Sequence, residues 1–181
     1  MSLVNINVSD LSAVEVPATE LVGYFVDGDG TLFLPNSTEL YPDAELFLSA
    51  IPDTAFLAFV SGNSDQELGA RRATAIGANT WAVPKTDTWQ KSTLYREVAQ
   101  AAREHDIQSG IVIEDRWLMG VASGRWAVAK ELNIDTMGVL VRRRGNGHET
   151  WVDRAILRPI ETVGFAAAVA IGLDSLVRPR K

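Results

Sequence analysis

Asp27-Gly28-Asp29-Gly30-Thr31 constrains this chain more than any other stretch, because it closes the apolar run Leu21-Val22-Gly23-Tyr24-Phe25-Val26. A run of that length and composition reads as a buried strand. Two acids at its carboxyl end are costly to fold unless something uses them. In extended backbone, residues two apart share a face, so the Asp27 and Asp29 carboxylates lie near one another. Close carboxylates repel, which points to a bound divalent cation, a raised pKa on one of them, or both. The glycines flanking Asp29 allow a sharp turn and close approach of a ligand.

The remaining segments alternate strand-like and helix-like patterns, as parallel α/β domains do. Strands are expected at Val22–Val26, Ala55–Val60, Thr80–Val83, Ile111–Ile113 and Met137–Val141, and helices near Ala44–Ile51, Asp65–Ile76, Ser92–His105 and Val121–Leu132. Leu94, Val98 and Ala101 keep the helical period and predict a core-facing stripe. The expectation is a single α/β domain over residues 1–181, with a mostly parallel sheet of about five strands and helices on both faces. Its core would span about 20–160, followed by an apolar helix near 160–177. With 181 residues, 46% of them hydrophobic, the chain is large enough for one well-packed core and small for two.

Ligand sites in such sheets form beyond the carboxyl ends of the strands. Those ends carry Asp27 and Asp29, then Ser61-Gly62-Asn63, then Pro84-Lys85, then Glu114-Asp115. Carboxylates for a metal, together with hydroxyl, amide and ammonium donors for a phosphate, would converge on one rim.

This set resembles, in order and at the right strand ends, the four motifs of the haloacid dehalogenase superfamily of phosphohydrolases, over about Val22 to Trp126. Asp-x-Asp-Gly-Thr after an apolar strand is its most specific element. The resemblance implies that Asp27 is a nucleophile forming an aspartyl-phosphate and that Asp29 is the acid and base. It further implies Mg²⁺ held by the Asp27 carboxylate, the Asp29 backbone carbonyl and Asp115. Ser61, the amides around Gly62 and Asn63, and Lys85 would hold the phosphoryl oxygens. Lys91 rivals Lys85 across the loop Thr86–Gln90, and Lys85 is favoured. Many members carry a second acid a few residues after the fourth-motif Asp; this chain has Trp117-Leu118-Met119-Gly120 there. Either Asp115 serves alone or Glu114 joins it.

Family members acting on small substrates insert a cap domain between these motifs. Here Ser61 follows Asp27 by 34 positions (61 − 27) and Lys85 follows Ser61 by 24 (85 − 61), which leaves no room for one. An open site suits a substrate that brings its own cover, either a macromolecule or a lipid at a membrane surface. Among capless members the chain is most similar to the phosphatidylglycerophosphate phosphatase branch. That likeness rests on the compact spacing, Ser61-Gly62-Asn63, Val121–Trp126 and the pattern His148–Trp151 followed by Leu157–Glu161. A capless phosphatase for a phosphoprotein, a nucleic-acid end or a soluble metabolite is the alternative. A phosphate-binding scaffold without turnover is the reading from another class.

Charge is distributed unevenly. Residues 1–60 hold nine acids and no Lys or Arg, whereas residues 141–181 hold eight basic residues and four acids. The acidic front half argues against general nucleic-acid binding. Arg142-Arg143-Arg144, after the last strand, could meet a second anionic group or form a solvated turn. With no cysteine there is neither a disulfide nor cysteine-ligated zinc. Met1 to Glu20 has no Lys or Arg and no long apolar core, so neither a signal nor a transit peptide is expected. The uninterrupted apolar stretch Val163–Leu173 is shorter than the roughly 20 residues a membrane span needs. It would either pack on the sheet or rest on a membrane interface. A cytoplasmic protein is expected, with peripheral contact at the inner face of the membrane if the substrate is a lipid.

Overall fold

A computed structural model describes residues 5–17, 21–85 and 91–142. The elements are β1 (Asn5–Val8), β2 (Val22–Asp27), α1 (Pro42–Ala50), β3 (Phe56–Val60), α2 (Gln66–Ala75), β4 (Thr80–Ala82), α3 (Lys91–Ala101), β5 (Ser109–Glu114), α4 (Ser123–Leu132) and β6 (Asp135–Val141). Turns of 3-10 helix follow β1 and α3, and a π-helical turn, Trp117–Ala122, leads into α4. All six strands form one parallel sheet in the order β1-β6-β5-β2-β3-β4.

Residue alternation along the strands explains the layering. Tyr24, Val26, Leu57, Phe59, Ile111 and Ile113 pack into one apolar cluster with Ala44 and Phe47 of α1 and Ala73 of α2. Their neighbours Phe25, Phe56, Ala58, Val60 and Val112 pack on the other face with Leu94, Tyr95, Val98 and Ala99 of α3 and Ala127 and Val128 of α4. Both sheet faces are therefore buried, which is why these strands read as continuous apolar runs. The α3 stripe departs from expectation at one place: Ala101 is exposed, while Tyr95 and Ala99 are buried.

Helix ends follow local chemistry. Pro42 opens α1, the Asp65 carboxylate accepts from the Leu68 amide at the start of α2, and Asn133 closes α4 in left-handed backbone with φ 55°. The Leu11 amide donates to Asp43 Oδ2 at 2.7 Å and so ties the turn after β1 to α1.

The sheet has one strand more than the sequence suggests. β1 lies beside β6, with Asn5 paired to Gly138 and Val8 to Val141. Its sequence Asn-Ile-Asn-Val is too short and too polar to stand out as a strand. Among the described residues no cap interrupts the fold. A short loop and α1 fill the interval between Asp27 and Ser61, and α2 and β4 lie between Ser61 and Lys85. Among the described residues no helix is long and apolar enough to cross a membrane. The expected apolar helix near 160–177, the loop Thr86–Gln90, Arg143, Arg144 and the His148–Glu161 pattern lie outside the described residues.

Candidate active site

Strand order reverses between β2 and β5: from β2 the chain moves outward through β3 and β4, then returns to β5 on its other side. Such a reversal opens a crevice at the carboxyl ends of the two strands. Asp27 ends β2 there, and Glu114 ends β5 with Asp115 directly after it.

Asp27 is buried. Its Oδ1 accepts from Lys91 Nζ at 2.6 Å, and its Oδ2 from the Thr31 hydroxyl at 3.3 Å. Lys91 is the first residue of α3, and its side chain is 15% exposed. The same ammonium donates to both Glu114 oxygens at 3.0 Å, and the Tyr95 hydroxyl, one helical turn further on, donates to Glu114 Oε1 at 2.8 Å. Burial alone would lower Lys91. The charges of Asp27, Glu114 and Asp115 and the hydrogen bond to Asp27 more than offset it, holding the ammonium above its ordinary pKa. Glu114 is pushed up to about 8, first by burial and then by the Asp27 charge, against the pull of Lys91. Burial and then the Glu114 charge raise the Tyr95 phenol well above its usual value.

Asp27, Glu114 and Asp115 each bring a carboxylate oxygen within 4.8 Å of the others. An all-oxygen set of this kind suits a hard divalent cation such as Mg²⁺. The residues therefore fit the expected metal, with Glu114 added to the expected pair of carboxylates. The Asp29 side chain is not part of that group.

Asp29 has a different partner. Its Oδ1 accepts from Arg72 Nη2 at 2.8 Å and from the Asn36 amide at 3.0 Å. Burial would raise Asp29, but the hydrogen bond and charge of Arg72, with the Asn36 and Asn63 bonds, hold its carboxyl below the usual range. Arg72, on α2, is 1% exposed; Nε donates to the Ser37 carbonyl at 2.7 Å and Nη2 to that of Leu34 at 3.2 Å. Its guanidinium also lies 5.0 Å over the Phe33 ring.

That ring belongs to the loop after β2. There the Gly28 carbonyl accepts from the amides of Thr31, Leu32 and Phe33, and the Tyr41 amide returns to the Leu32 carbonyl. Gly30 makes the turn at φ 78°, which a residue with a Cβ would adopt only under strain. Leu32 and Phe33 are fully buried and anchor the loop.

Ser61 is buried at the end of β3, and its hydroxyl accepts from the Asn63 amide at 3.2 Å. Asn63 donates to Asn36 Oδ1 at 3.2 Å and accepts from the Asp65 amide at 3.0 Å. A Cβ on Gly62 would lie 3.2 Å from Lys91 Cε, so the second strand end meets the lysine side chain directly.

Lys85, favoured from sequence, is exposed, and Lys91 holds Asp27 in its place. Sequence reasoning left both open because the loop between them could deliver either. α3 begins at Lys91, which sets that side chain against Asp27. Arg72 was missed altogether, although its signal was present: on α2 it shares a stripe with buried Leu68, Gly69 and Ala73. A charge on a core-facing stripe requires a buried counter-ion.

The fold and site define an open parallel α/β domain with an acid-and-lysine centre at its topological switch point. No protein-family model, no curated protein and no solved structure matches the chain.

Proposed function

We propose that the protein is a Mg²⁺-dependent phosphatase that hydrolyses a phosphomonoester through an aspartyl-phosphate at Asp27. The observation that carries this reading is the Asp27 carboxylate at the end of β2, with Lys91 at 2.6 Å and Glu114 and Asp115 beside it. The sequence resemblance supports it independently.

An Asp27 oxygen attacks phosphorus; the new O–P bond forms as the bond to the leaving oxygen breaks. Asp29, once it has taken a proton from solvent, gives it to that oxygen and then takes one from the water that cleaves the aspartyl-phosphate, releasing phosphate and restoring Asp27. Held ionised by Arg72, Asp29 stands ready for the second of these steps. The Lys91 ammonium, the Ser61 hydroxyl and the amides of Gly62 and Asn63 bind phosphoryl oxygens. A divalent cation on Asp27, Asp115 and Glu114, with the Asp29 carbonyl, would neutralise charge on the transferring group.

The capless rim suits a substrate with its own cover. Phosphatidylglycerophosphate, met at the cytoplasmic face of a membrane, is the substrate the resemblance favours.

The test is hydrolysis of p-nitrophenyl phosphate, and of phosphatidylglycerophosphate in mixed micelles, with Mg²⁺ and with a chelator. Turnover should require the metal. Asp27→Asn, nearly isosteric, should keep the fold and lose at least about 10³ in kcat, the scale on which a lost nucleophile is felt. Phosphate binding without any turnover in the native protein would favour the scaffold reading, and full activity in Asp27→Asn would sink the covalent mechanism.

A further inference from the structure

The two faces of the sheet are not covered alike. On one, α3 and α4 pack over β3, β4, β5 and β6. On the other, α1 and α2 cover the strands at and beyond β2. The crossover from β1 to β2 must pass β6 and β5. It runs over the α1 face, where Leu11 and Val14 join the apolar cluster, as a right-handed connection requires. Its described residues carry one 3-10 turn, Leu11–Ala13, in place of a helix.

So thin a crossover leaves a gap. An open groove of about 270 Å³ lies at the amino ends of β2, β5 and β6, the end of the sheet away from Asp27. Pro17, Val22, Ile111 and Met137 make it apolar; Ser109 and Asp135, which begin β5 and β6, are polar members. Register explains the set. Val22 pairs with Ser109 and Ser109 with Asp135, and two positions on Ile111 pairs with Met137, so all five side chains share one face. Parallel sheets ordinarily bury both faces, yet Met137 is only half-buried.

The chain holds a segment suited to this groove. Beyond Arg142 lie 39 residues (181 − 142), among them the uncharged apolar stretch 163–173. Phe165, Val169 and Leu173 recur at every fourth position, the spacing of a single helical stripe. Reach is ample. β6 is seven residues long, about 23 Å, while the twenty residues 143–162 extend to about 66 Å. Charge agrees as well. Asp135 in the groove and Glu15, two positions before Pro17, are exposed acids, and the stretch is flanked by Arg158 before it and Arg178, Arg180 and Lys181 after it.

We propose that residues 163–173 dock in this groove of their own chain and complete the cover over β5 and β6. The proposal does not depend on the phosphatase reading.

The experiment incorporates photo-methionine into the full chain, which places a diazirine at Met137 without a disruptive substitution. Cross-links from Met1 and Met119 fall in separate peptides and are told apart by mass spectrometry. Heavy-isotope and light chains are mixed before irradiation, so that links within one chain are separated from links between copies. Met137 should cross-link to the peptide containing residues 163–173 within one chain. Val169→Asp should cut that yield at least fivefold and lower the melting temperature. No link from Met137 to that peptide overturns the proposal. Links only between heavy and light chains also overturn it, because a second copy is then the occupant. So does a segment that leaves Met137 unlinked and instead carries the protein onto phosphatidylglycerol vesicles. A folded Val169→Asp protein with an unchanged yield overturns it too; if that variant does not fold, the cross-link in the native chain decides alone.

Discussion

Two cations serve the two acids at and just after the end of β2, and they come from opposite faces of the sheet. Lys91, from α3, bridges Asp27 and Glu114; Arg72, from α2, pairs with Asp29 and two backbone carbonyls. A lysine is a compact charge on a flexible stem, whereas an arginine is a rigid fork that stays charged at any working pH. Under the proposed phosphatase reading, Lys91 would follow charge as it moves onto a phosphoryl group. Arg72 is built into the loop it holds, where it keeps Asp29 ionised. One acid has a partner that can move; the other has a partner that is part of the scaffold.

The largest effect expected on this contrast comes from Lys91→Met. It leaves Asp27 and Glu114 facing each other without a cation, and breaking a buried pair in this way costs on the order of 3 kcal/mol or more. Both stability and turnover should fall, by urea unfolding and by kcat with p-nitrophenyl phosphate. A stable, active Lys91→Met protein would show that the lysine is not the cation the centre relies on.

Arg72→Gln should act more narrowly. Because Arg72 lowers the Asp29 pKa, the pair contributes stability above the unfolded carboxyl pKa of about 4 that is lost as pH falls through the folded value. In the native protein Asp29 is therefore available as a base to lower pH than an ordinary aspartate. Arg72→Gln should move the acid limb of the kcat profile upward. An unchanged limb with uniformly lower activity would reduce Arg72 to a packing role.

Lys85→Ala should do least. An exposed lysine outside the Asp27 centre predicts kcat and KM within about twofold of native, since such surface substitutions are usually near neutral. A large loss of activity here would return the role to Lys85 and unseat Lys91.

The same contrast explains what could be read from the sequence. β2, β3 and β5 are apolar on both faces and end in polar residues, so their positions and the site at their carboxyl ends followed from composition alone. Asp27, Ser61 and Asp115 needed no tertiary information because each sits at a strand end. Lys91 and Arg72 lie on helices, where only the rotation and starting point of the helix decide what a side chain meets. Glu114 was ambiguous for a related reason: alternation along β5 would send it and Asp115 to opposite faces, yet at the end of the strand both carboxylates reach the same metal-sized space. β1 escaped notice because it is recognisable only beside β6.

That placement of β1 has a kinetic consequence. Asn5 pairs with Gly138, 133 positions later (138 − 5), and β6 is the last strand of the described sheet. Closing so long a loop is entropically slow to be rewarded, and contacts of high sequence separation tend to form late. During synthesis the segment that becomes β1 emerges early and must wait, unpaired, for its neighbour. Until it docks, β6 presents an open row of backbone donors and acceptors, the kind of edge on which chains aggregate. The sheet is thus finished at its rim long after its centre, with β2 and its neighbours able to assemble first.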